Sequence, residues 1–117
     1  MMKRMEIYKP FSIIVVPFPF TDSAEAKRRP ALVLSSELYQ KNTGHIILLM
    51  VTSAKHSAWS GDHKISKLEP TGLKAESVVR QKIFTLDKRL VLDCIGKLSS
   101  KDKEAVIKII HKHLALS

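Results

Sequence analysis

KRRPALVL (residues 27–34) joins three cations to a proline and then to an apolar run. The apolar part, with Pro30 ahead of it, reads as a buried strand, PALVLSS, opened by proline where a strand accepts one most easily. The polar, small and charged stretch before it, TDSAEAKRR (21–29), reads as a flexible loop. The residue preceding a proline is pushed toward extended backbone. Arg29 is therefore held at a loop–strand junction, with Arg28 one residue further into the loop. A guanidinium offers five donors in a planar fork and stays charged at any biological pH. Fixed at such a junction, it suits recognition of a phosphate; the same pair of arginines can also do no more than solvate a strand end.

Outward from that stretch, FSIIVVPFPF (11–20) reads as a buried strand whose regular pairing Pro17 and Pro19 stop. ELYQKNTG suggests a short helix or turn closed by Gly44, and HIILLMVTS (45–53), apolar almost throughout, a central strand. AKHSAWSGDH is a second polar loop. DHKISK and ESVVRQ are shorter strands divided by the EPTG turn (69–72), and LVLDCIGKLS is the last strand, with Cys94 read as a small buried hydrophobe. The period then changes: Ser99, with Asp102 three residues on, resembles a capping box, and Val106, Ile109, Ile110, His113 and Leu114 fall on one face of a helix. The expectation is one α+β domain, mainly β, over residues 1–117: a small, strongly curved barrel with a C-terminal helix.

Composition narrows the function. The chain has 117 residues, 44% of them hydrophobic, enough for one core without staples. Its single cysteine rules out an internal disulfide and fits a reducing cytosol. No apolar run reaches membrane-spanning length, and the basic N-terminus lacks the apolar region of a secretion signal. Twenty Lys and Arg against eleven Asp and Glu leave a formal charge of +9, which favours a polyanionic partner: nucleic acid, or an acidic protein segment.

Further candidate positions stand out beside Arg29. Thr52 and Ser53 put hydroxyls at the end of the central strand, where they can point across a cleft into the loop layer. Arg80, in SVVRQK, shares a strand face with Val78, and Lys82 follows on that face. Trp59, in HSAWSG, can stack on a base or cover the barrel end. His56 and His63 have no Cys or carboxylate partners at metal-ligand spacing, so a zinc site is rejected. Phosphate-loop, nucleophile-elbow and paired-carboxylate patterns are lacking.

Taken together, IIVVPFPFTD…KRRPALVLSS, TGHIILLMVTSA and ESVVRQKIFTLDKRL…IGKLS before a helix resemble the MazF/PemK family of toxins, the ribonuclease halves of bacterial toxin–antitoxin pairs. The resemblance implies the SH3-like barrel that MazF shares with Kid and CcdB, working as a cytoplasmic homodimer. It implies cleavage of single-stranded RNA by attack of the ribose 2′-OH on the adjacent phosphate. The ends would be a 2′,3′-cyclic phosphate and a 5′-OH, with no metal or other cofactor. The family's catalytic arginine matches Arg29, its threonine Thr52, and the strand arginine of Kid-like members Arg80. Lys27, Arg28, Ser53, Lys55, His56, Trp59 and Lys82 would bind RNA, and an acidic antitoxin would occupy the same positive groove.

Three departures from the family pattern follow. Phe11-Ser12 stands where Gly-Asp usually opens the first strand. The aspartate that follows the strand arginine is missing, Lys82 being nearest. Glu25, the first-loop carboxylate, lies closer to Arg29 than usual. The general base is then Glu25 or, less well placed, His45. Two other readings stay open: a CcdB-like topoisomerase poison, although the chain lacks a C-terminal Trp-Gly-Ile, and a non-catalytic nucleic-acid-binding barrel.

Overall fold

The computed structural model describes residues 6–19, 26–55 and 58–115. Six strands, β1 (Ser12–Phe18), β2 (Lys27–Val33), β3 (His45–Ser53), β4 (His63–Lys64), β5 (Ser77–Asp87) and β6 (Asp93–Lys97), form one sheet in the order β4-β5-β3-β2-β1-β6. Every neighbouring pair is antiparallel. The sheet curls into a half barrel, the mainly β, α+β architecture expected. Helix α1 (Glu37–Thr43) joins β2 to β3, and helix α2 (Ser100–His113) follows β6.

β3 is apolar along most of its length because both of its faces are covered. Ile46, Leu48 and Met50 pack with Ile14, Val16, Ala31 and Val33 on one face. Leu49 and Val51 pack with Ile13, Leu32 and Val79 on the other, where Val106 and Ile110 of α2 close the core. The helix ends follow their local chemistry. Ser36 caps α1 by accepting the Tyr39 N–H, and Gly44, at φ 71°, takes the left-handed turn that ends it. Ser99 caps α2 by accepting the Asp102 N–H. Gly72, at φ 75°, ends the 3-10 turn Glu69–Thr71.

Several boundaries differ from the sequence reading. β2 begins at Lys27, so Lys27, Arg28 and Arg29 belong to the strand, facing Phe18, Pro17 and Val16 of β1. Pro30 lies in mid-strand instead of opening it. Its missing N–H costs nothing there, because β2 pairs with β3 only at Ala31, Leu32 and Val33. Pro17 is likewise tolerated inside β1, facing Arg28. β5 runs on past Gln81 to Asp87, β4 shrinks to two residues, and β6 begins only at Asp93 after a 3-10 turn at Lys88–Leu90. Cys94 is exposed, not buried. β6 is an edge strand whose register against β1 shifts between Ile13 and Ile14, and Ile95 rather than Cys94 joins a core.

Candidate functional site

Two breaks in strand pairing open the site. The first is the parting of β2 from β3: Ala31 faces Met50, but the residues before Ala31 and after Met50 no longer pair with each other. The second is a bulge in β5. Leu49 faces Ile83 while the next residue, Met50, faces Arg80, so Gln81 and Lys82 are extra on the β5 side. A cavity of about 480 Å³ lies between the parted strands and the bulge.

Arg29 and Pro30 line one wall, Thr52 and Ser53 another, and Glu76, Arg80 and Lys82 a third. Antiparallel partners project to the same side of a sheet, and alternate residues share that side. Ala31 facing Met50, and Thr52 facing Val78, therefore set Arg29, Thr52, Glu76 and Arg80 on one face. Two extra residues in the bulge preserve the alternation, so Lys82 joins them. It is the face that carries Met50 and Leu48 into the first core; the cavity continues that core where the apolar residues end.

The arginines differ sharply in state. Arg29 is exposed, and among the described residues its guanidinium has no hydrogen-bond or ion-pair partner. The Thr52 hydroxyl is half-buried and likewise has no partner among the described residues. Arg80 is only 8% exposed and committed. Its Nε donates to Asp62 Oδ1 at 3.1 Å and its Nη2 to Asp62 Oδ2 at 2.8 Å, a two-point pairing. Arg80 also lies 4.9 Å from the centre of the Trp59 ring. The hydrogen bonds from Arg80, with one from the Trp59 N–H, hold the Asp62 carboxyl below its ordinary range against the opposing effect of burial. Lys82 Nζ sits 5.9 Å from the Phe18 ring and 5.8 Å from the Trp59 ring, between the two.

Ser53 lines the cavity too, its Oγ accepting the Lys55 N–H at 3.2 Å in the turn after β3. Lys27 and Arg28 are exposed on β2 and Lys55 is exposed beyond β3; none of the three lines the cavity. Trp59 stays 45% exposed and belongs to neither core cluster, so it covers no barrel end; it flanks the cavity through Arg80 and Lys82. His45 begins β3 while Thr52 nearly ends it, about 23 Å away at a strand's rise per residue. That separation removes His45 as a base. Glu25 and His56 lie outside the described residues.

Sequence reasoning overlooked two carboxylates here. Asp62 lies in the second polar loop, too far along the chain for periodicity to associate it with Arg80. Glu76 was within reach: counting back by twos from Arg80 through Val78 places it on the same face. Among the described residues no three His, Cys, Asp or Glu side chains gather as metal ligands.

A family of PemK-like, MazF-like toxins of type II toxin–antitoxin systems matches residues 9–114. The chain belongs to this family. Its members are endoribonuclease toxins. Comparison by sequence with curated proteins finds no match. Solved structures share the fold at low identity. The MazE–MazF complex from Deinococcus radiodurans includes a chain 21% identical, with a TM-score of 0.74, aligned over 96% of this chain and all of that one. Mycobacterium tuberculosis MazF-mt6 is 19% identical, with a TM-score of 0.69, over 86% of this chain and 93% of that one. A mycobacterial endoribonuclease in complex with its cognate antitoxin is 13% identical, with a TM-score of 0.70, over 92% of this chain and 93% of that one. In this MazF/PemK toxin no helix of the described residues is long and apolar enough to cross a membrane.

Proposed function

We propose that this MazF/PemK toxin cuts single-stranded RNA at selected sequences, by attack of a ribose 2′-OH on the adjacent phosphate. The products are a 2′,3′-cyclic phosphate and a 5′-OH. One observation carries the reading. Arg29 and Thr52, unpartnered among the described residues, face the same cavity from either side of the gap where β2 and β3 part. The phosphorane formed by 2′-OH attack gains negative charge, and donors fixed around its oxygens lower the barrier. Arg29 and Thr52 donate to those oxygens. Arg80, steadied by Asp62, stands at the cavity's third wall, where its guanidinium faces the same phosphate.

With Arg29 and Thr52 supplying donors and the cavity's cations the charge, the reaction needs no added metal. Lys27, Arg28, Ser53, Lys55 and Lys82 hold the flanking phosphates, and Trp59 offers an exposed ring for base stacking. The toxin acts in the cytoplasm as a homodimer, and an acidic antitoxin segment neutralises the same positive groove. The formal charge of +9 and the antitoxin complexes of its structural relatives support that partner.

The test is incubation of purified protein with a long single-stranded RNA in EDTA. A few discrete fragments ending in cyclic phosphate are expected. RNA left intact under all conditions, or cut only after Mg²⁺ is added, contradicts the reading.

A further inference from the structure

We propose that Glu76 is the general base that takes the proton of the attacking 2′-hydroxyl; the inference rests on the ribonuclease reading above. Its position is set by register. Thr52 faces Val78 across the β3–β5 ladder, which makes Arg80 a diagonal neighbour of Thr52 on the same face, and Glu76, one residue ahead of β5, stands at the other diagonal. Diagonal neighbours in an antiparallel pair lie about 7–8 Å apart, within reach of long side chains. The pairing continues past Ser53, where the Ala54 N–H donates to the Glu76 carbonyl at 3.1 Å, which fixes the Glu76 backbone against the end of β3. A scissile phosphate held at Thr52 would have the Arg80 guanidinium to one side and, once the Glu76 side chain turns from Lys64 of β4 toward the cavity, a carboxylate to the other.

Glu76 is the one carboxylate among the described residues lining the cavity. Asp62, the nearest rival, is tied at both oxygens to Arg80 and to the Trp59 N–H. The Glu76 carboxylate is 70% exposed, and Lys64 Nζ, 3.4 Å away on β4, is a loose surface partner that does not commit it. The charged groups that share the cavity lining with it are Arg29, Arg80 and Lys82, with Asp62 paired to Arg80 and Lys64 of β4 beside Glu76 itself.

In the step itself, a Glu76 oxygen accepts the 2′-hydroxyl proton as the 2′-oxygen bonds to phosphorus. The bond from phosphorus to the 5′-oxygen breaks, that oxygen leaves with the electron pair and is protonated by water, and Glu76 returns its proton to solvent.

The experiment compares wild type, Glu76→Gln and Glu76→Asp in single-turnover cleavage across pH. Binding of an RNA made uncleavable by a 2′-deoxy substitution at the scissile nucleotide is measured alongside. A positioned base contributes about 10²–10⁴-fold. Glu76→Gln is expected to lose a factor in that range and to lose the rise of rate with pH. It should bind the deoxy RNA within a few-fold of wild type, and Glu76→Asp should recover part of the rate. An unchanged rate and pH profile in Glu76→Gln, or a loss matched by an equal loss of binding, overturns the assignment while the ribonuclease reading stands. Failure of the wild type to cut any RNA overturns the ribonuclease reading, and the assignment with it.

Discussion

Arg29→Ala is expected to slow RNA cleavage by about 10²–10³-fold, the usual cost of removing one fixed donor from a developing oxyanion. The fold should be unaffected. Arg29 is exposed on the stretch of β2 that pairs only with β1, and no other described side chain leans on its guanidinium. Surface replacements of that kind usually change stability by less than about 0.5 kcal/mol. Single-turnover cleavage and urea unfolding of the same preparation check both halves of the expectation. A rate within a few-fold of wild type would remove Arg29 from the reaction.

The second large effect is on stability. Asp102 is fully buried at the start of α2 and accepts hydrogen bonds at both oxygens. Oδ1 takes the Ser66 N–H at 2.9 Å, the Ser66 hydroxyl at 2.9 Å and His63 Nε2 at 2.8 Å. Oδ2 takes the Lys67 N–H at 3.1 Å and the Ser99 hydroxyl at 3.1 Å. One carboxylate thereby ties α2 to β4 and to the residues that follow it. Asp102→Ala strands those donors and is expected to cost about 3–5 kcal/mol, read as a fall in the urea midpoint. Because the same segment carries Asp62, the replacement should also loosen Arg80 and lower cleavage even where the protein remains folded.

The same carboxylate sets an acid limit. Burial by itself raises the Asp102 carboxyl, but the bonds from Ser66, His63 and Lys67 outweigh it and hold the group well below the ordinary carboxylate range. As pH falls, the unfolded chain binds this proton before the folded one does. The contribution is therefore complete near neutrality and is lost progressively as pH drops below about 4. The gap in urea midpoint between wild type and Asp102→Ala should be narrower at pH 3 than at pH 7, without closing.

Much of the fold was readable from apolar runs. β3 was legible residue for residue, since its apolar middle, residues 46–51, is covered on both faces and polar residues stand only at its ends. The Gly44 end of α1 and the Ser99 cap of α2 were legible because their chemistry is local, while the Ser36 cap was missed. Pro30 misled because proline excludes only pairing that needs its N–H, and which edge of β2 is left open depends on where β3 departs. Cys94 misled because a shift in register decides which of two neighbours faces inward. Phe11 holds φ 68°, a left-handed backbone that its residue type gave no reason to expect. In the site, Arg29, Thr52 and Arg80 were visible as residue types at strand ends. The Asp62 pairing and the β5 bulge were not, because both depend on contacts distant in sequence.

The central claim is that Arg29 and Thr52 act on one phosphodiester. Single-turnover cleavage in EDTA by wild type, Arg29→Ala, Thr52→Ala and the double variant tests it most directly. Groups that serve the same phosphate are strongly non-additive, so the double variant should lose far less than the product of the two single losses. Losses that simply multiply, or a Thr52→Ala protein as fast as wild type, would contradict the account.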